Sequence, residues 1–109
     1  MVSNMLTAAG FHVLLALASG PGHGYAVMRF VEEVSGGAVK LGPGTLYRTI
    51  SRLVADGLVV ESDEGDPAAP HDARRRYYKL TVQGEQAARA EAALLGRLVT
   101  AAREAGLIT

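Results

Sequence analysis

The stretch Leu41-Gly42-Pro43-Gly44-Thr45-Leu46-Tyr47-Arg48-Thr49-Ile50-Ser51-Arg52-Leu53-Val54-Ala55-Asp56-Gly57 decides how this chain folds. Pro43 suits the first turn of a helix, where the N–H it lacks would have no helical partner anyway. From there Leu46, Ile50, Leu53 and Val54 recur at helical spacing and are expected to face inward. Thr45, Arg48 and Arg52 project the other way, with Thr49 at the flank. Gly57 ends the helix as a favourable C′ glycine. From Lys40 to Ala55 there are three cations (Lys40, Arg48, Arg52) and no acid. The outward face of this helix is therefore basic, and its first backbone amides are available to an anion.

Two helices are expected upstream. The first runs from about Asn4 to Ser19, with Leu6, Gly10, Val13, Leu14 and Leu17 on one helical stripe. A second row, Phe11, Leu15 and Ala18, leaves it apolar on more than one side, so it needs cover on several faces. A second chain is a natural source of that cover. Ser19-Gly20-Pro21-Gly22 breaks it. The next helix spans about Gly24 to Ser35, with Val27, Phe30, Val31 and Val34 as its stripe and Arg29, Glu32 and Glu33 opposite. Gly36-Gly37 ends it, and Ala38 to Leu41 form a short extended piece.

Downstream the period changes. Leu58 to Ser62 and Arg76 to Leu80 are β-prone runs separated by a polar stretch with two prolines, Gly65 to Asp72. The simplest reading is an antiparallel hairpin with a long, mobile tip. Thr81 can cap a last helix that continues to about Ala105, carrying Leu94, Leu95, Leu98 and Val99. The order is helix, helix, helix, hairpin, long helix. That makes the chain mainly α: a winged helix-turn-helix with a two-stranded β wing. Residues 1–80 would form this unit and residues 81–109 a C-terminal dimerisation helix.

Composition narrows the function. The chain has 109 residues, enough for one modest core, and 49% of them are apolar. There is no cysteine, which excludes disulfides, thiolate metal sites and thiol nucleophiles. The apolar run from Phe11 to Ala18 is too short to span a bilayer, and no basic segment or cleavage site marks a secretory signal. A cytoplasmic protein without membrane association is the expectation. Eleven acidic and eleven basic side chains cancel, yet the cations cluster. Beside the basic helix stands the run Arg74, Arg75, Arg76 and Lys79. Adjacent strand residues point to opposite faces, so only some of these arginines can meet any one partner surface at once. Pairing of Arg74 or Arg76 with Glu61, Asp63 or Glu64 across the hairpin competes with that role.

Arginine can bridge guanine O6 and N7 or clamp a phosphate, so the third helix is read as a recognition helix. Gly44, Thr45 and Arg48 lie where it would meet bases. Arg52 lies farther from that end, and Lys40, ahead of the helix, suits a phosphate. Tyr47 lies at the edge of the buried stripe, and packing against the wing or first helix stands beside DNA contact. His23 is read as a turn or capping residue. Neither His12 nor His71 offers metal-ligand spacing, so no metal or other cofactor is expected. No nucleophile elbow, phosphate loop or zinc-protease motif is present, and an enzyme is not expected.

Several collinear motifs then carry a resemblance: Leu14-Leu15-Ala16-Leu17, Gly20-Pro21-Gly22-His23-Gly24-Tyr25, Leu41 to Arg48, Leu53 with Asp56-Gly57-Leu58, and Arg74 to Thr81 with Gly84. Together they resemble the PadR family of bacterial transcriptional regulators over residues 10–84. The single C-terminal helix resembles the short subfamily. The resemblance implies a homodimer, double-stranded operator DNA (usually an inverted repeat) as partner, and repression as the usual outcome. It also implies relief by a small-molecule effector in some members, which trap flat aromatics with aromatic side chains on the last helix. Here that helix has none, which makes such stacking capture less expected. The dimer contacts would come from Phe11, Leu15, Leu94, Leu95, Leu98 and Val99. The competing reading is a winged-helix protein–protein interaction module without DNA readout, which would more often expose an apolar patch where this chain places arginines.

Overall fold

A computed structural model of the chain describes residues 6–63 and 76–109. The expectations for the wing tip, for Arg74 and Arg75, for His71 and for a helix start at Asn4 lie outside the described residues.

Each helix begins and ends where local chemistry dictates. The first, α1 (Ala8–Ala16), is shorter than its apolar pattern, because the Thr7 hydroxyl accepts from the Gly10 amide and fixes the start. After β1 (Gly22–His23), the helix α2 (Gly24–Val34) is capped by His23, whose Nδ1 accepts from the Ala26 amide at 3.2 Å. The capping role expected of His23 is thus the one it has. Ser35 folds the following segment back, its hydroxyl accepting from the Val39 amide at 2.9 Å. The basic helix, α3 (Pro43–Ala55), opens at Pro43 and closes in a Schellman turn. There the Gly57 amide bonds the Val54 carbonyl, the Leu58 amide bonds the Leu53 carbonyl, and Gly57 takes φ +78°.

The hairpin consists of β2 (Val59–Ser62) and β3 (Tyr77–Leu80), paired Val59 to Leu80 through Ser62 to Tyr77. The expected two-stranded wing gains a third strand. β1 pairs antiparallel along the other edge of β3, Gly22 opposite Tyr78 and His23 opposite Tyr77, giving the order β1-β3-β2. Two residues carry no readable period, and only the free edge of β3 makes a strand of them. The last helix, α4 (Val82–Glu104), is capped by Thr81 as expected.

The core gathers one stripe from each helix of the body with the inner face of the sheet. Val13, Leu14 and Leu17 of the α1 region meet Val27 and Val31, then Leu46, Ile50 and Leu53, with Val59 and Tyr78 closing the sheet side. Each such side chain taken out of water is worth about 1.5–3 kcal/mol. Two expected core residues are not there. Val34 is 52% exposed and Val54 is 42% exposed. Both sit near the last turn of their helices and off the stripe centre, where no facing element covers them. No helix among the described residues is long and apolar enough to cross a membrane.

Candidate nucleic-acid interface

α3 presents three sides. Leu46, Ile50 and Leu53 are buried, fixing the rotation of the helix. That rotation puts Gly44, Arg48, Ser51 and Ala55 on the outer crest, all exposed, with Thr45 and Arg52 exposed along one flank. Thr49 is turned back, its hydroxyl donating to the Thr45 carbonyl at 2.8 Å. Among the described residues Lys40, Arg48 and Arg52 make no ion pair, whereas Arg29, Arg76 and Arg89 do. Arg48 and Arg52 share the rim of a cleft of about 540 Å³ with Thr7, Asp56 and Leu58.

The start of α3 differs from the other helix starts. Thr7, His23 and Thr81 place a side chain on the first amides of α1, α2 and α4. Gly42 has no side chain to offer, and no side-chain cap bond is made there. The opening amides of α3 remain uncapped beside exposed Gly44 and Thr45, a geometry that favours an anion.

Tyr47 occupies the opposite flank and is 47% exposed. Its hydroxyl end lies against Gly24, where an added Cβ would come within 2.5 Å of Oη. The start of α2 is therefore one packing partner of Tyr47, and the ring is also near enough to Tyr78 of β3 to act on its hydroxyl. Half of the ring stays open to solvent.

On the wing, Arg76 Nε stands 3.7 Å from Glu61 Oε1, both side chains mostly exposed. An exposed pair at that distance contributes little, roughly 0–1 kcal/mol, and leaves Arg76 free to exchange partners. The cross-hairpin pairing weighed for Arg76 is present; that for Arg74 lies outside the described residues. Lys79, on β3, is half-buried. Tyr25, named above only as the end of a motif and not as a site residue, is 59% exposed. Its ring lies parallel to His23 at 6.4 Å, His23 meets Tyr77 edge-on at 5.3 Å, and the Arg29 guanidinium stands 6.0 Å from the Tyr25 ring. This aromatic group joins the start of α2 to the root of the wing. Its only signal in sequence was the His23-Gly24-Tyr25 run.

The expected dimer residues lie on α1 and α4. Phe11 and Leu15 of α1 line a groove of about 440 Å³ with Leu80, Ala88 and Ala92. Farther along α4, Leu94 is half-buried while Leu95, Leu98 and Val99 are exposed.

Three helices, the third of them basic and exposed on its outer side, followed by a β wing define the winged-helix class of transcription regulators, and solved structures agree with that architecture. A transcriptional regulator from Clostridium thermocellum superposes with a TM-score of 0.71 at 16% identity, over 92% of this chain and 97% of that one. RosR of H. salinarum superposes with a TM-score of 0.68 at 26% identity, over 98% of this chain and 100% of that one. Within that class the signature of the transcriptional regulator PadR-like family matches residues 13–90. The chain belongs to the PadR-like family of transcriptional regulators. It is also similar to an uncharacterised 37.1 kDa protein in transposon TN4556 of Streptomyces fradiae, 42% identical over 86 residues, or 79% of this chain and 22% of that protein. The chain thus spans about a fifth of the length of that curated relative.

Proposed function

We propose that this regulator is a homodimer that binds operator DNA sequence-specifically, most simply an inverted repeat, and represses transcription in the cytoplasm. The observation that carries the reading is the outer side of α3, which presents Arg48 on its crest and Arg52 on its flank, neither in an ion pair among the described residues, with no acid between Lys40 and Ala55. In the major groove Arg48 would reach a base edge, with Thr45 and the open half of Tyr47 beside it and Arg52 farther along. Lys40 and the uncapped amides at Gly44 and Thr45 would hold phosphate. The wing residues Arg74, Arg75 and Arg76 would meet backbone or minor groove. No catalytic role is assigned to any residue.

Residues 1–80 would form the DNA-binding unit and residues 81–109 the dimerisation helix. Apolar surface on Phe11, Leu15, Leu94, Leu95, Leu98 and Val99 supports that division, since one small domain leaves it open to water. A small-molecule effector, implied for some family members, would find no aromatic side chain on α4 to stack against.

The test is selection from a random duplex pool by the purified chain, followed by titration on selected and scrambled duplexes. Selected sequences with two-fold symmetry and a preference that survives heparin competition are the expected result. Binding that heparin abolishes on every duplex alike would favour the protein-interaction reading.

A further inference from the structure

The end of α3 and the start of α4 are joined by more than a helix cap requires. The Thr81 hydroxyl accepts from the Gly84 amide at 3.0 Å, the ordinary capping bond. The same hydroxyl donates to the Gly57 carbonyl at 2.6 Å, and the Thr81 amide donates to the Leu58 carbonyl at 3.1 Å. Gly57 and Leu58 are themselves bonded back into α3 through Val54 and Leu53. Gly84, buried, lies so close on the Leu58 carbonyl that a Cβ has no room. The last turn of α3 and the first turn of α4 thus make one hydrogen-bonded block, in which the Thr81 hydroxyl is the side-chain link.

We propose that Thr81 is a positioning residue that sets the separation and angle of the two recognition helices in the dimer, and with them the half-site spacing the protein accepts. The proposal rests on the dimeric, DNA-binding reading above. If α4 carries the contacts near the two-fold axis and α3 carries the base contacts, the lever between them passes through this block. α1 also packs against both helices, but through apolar side chains, whose attraction has no direction and tolerates small rotations. The bonds at Thr81 are directional and do not. One added base pair moves the half-sites apart by about 3.4 Å and about a tenth of a turn, which a stiff lever rejects and a loose one absorbs.

The experiment uses the full chain and a duplex selected by it, remade with spacers one base pair shorter and longer. The parent should bind the altered spacers at least about tenfold more weakly. Thr81→Val should shrink that ratio to about threefold or less while keeping its ranking of half-site base changes, and Thr81→Ser should restore it. An unchanged spacing ratio in Thr81→Val overturns the proposal. So does an equal loss on every spacer accompanied by a lower melting temperature, the mark of a cap alone. A second measurement needs no DNA. The chain has no cysteine, so Ser51→Cys gives one spin label per protomer on exposed α3. The distance distribution between labels should be narrow in the parent, broad with Thr81→Val and narrow again with Thr81→Ser. Unbroadened distances overturn the proposal. A parent that selects no duplex overturns the DNA-binding reading, and the spacing claim with it.

Discussion

Arg48 and Tyr47 are neighbours in sequence with different work to do. Arg48 stands on the crest of α3 outside the apolar stripe, so Arg48→Ala should fold normally. On a selected operator it should cost about 1–3 kcal/mol and flatten the preference at one position per half-site, read by titration against single-base variants. Arg75→Ala should instead weaken all duplexes evenly and lower the log–log salt slope by about two in a dimer. Tyr47 holds the start of α2 through its contact with Gly24, a role no helical angle could have disclosed. Among the described residues Tyr78 carries a clear titration shift. Burial first, then the Glu61 carboxylate and Tyr47, push its hydroxyl above the ordinary 10.0, with Arg76 opposing. The folded state holds that proton more firmly than the unfolded chain does. Its contribution is therefore intact below about pH 10 and lost as pH climbs through the raised value. Melting temperatures measured from pH 8 to 11 should fall more steeply for the parent than for Tyr78→Phe.

At the scale of elements, helix boundaries were legible wherever a short-range bond made them. Thr81 and His23 cap as their position in sequence suggested, and Gly57 ends α3 as a C′ glycine should. The Thr7 cap was not foreseen, because the apolar pattern ran on past it in both directions. β1 was invisible for the opposite reason: it exists only as the partner of β3. Val34 and Val54 were misplaced because helical angle gives the direction of a side chain and not what lies opposite it. α4 offers a paired test. Gly84→Ala forces a methyl onto the Leu58 backbone and should destabilise by about 3 kcal/mol despite the better helix former. Gly96 has open space around it and lies off the Leu94–Leu95–Leu98 row, so Gly96→Ala should stabilise by up to about 1 kcal/mol. Urea unfolding of both variants reads the two signs directly.

For the whole molecule, assembly turns on apolar area. Leu98 is 56% exposed and Leu107 is 76% exposed, and the α1–α4 groove adds Phe11 and Leu15. A chain ending at Gln86 keeps the root of α4 but loses its apolar outer length, and should aggregate or fail to fold by size exclusion and circular dichroism. A well-folded monomeric fragment would place dimerisation elsewhere or nowhere. The sequence by itself determined the order of the four helices and the hairpin, the three body helices with most of their buried stripes, and the acid-free basic helix. Those follow from period, caps and breakers, which act over a few residues and leave their pattern in the chain. Only the tertiary structure decided the third strand, the seat of Tyr47 on Gly24, and the block joining α3 to α4 through Thr81. Each of these needs two segments far apart in sequence to meet, and whether they meet is fixed by the packing of the entire core.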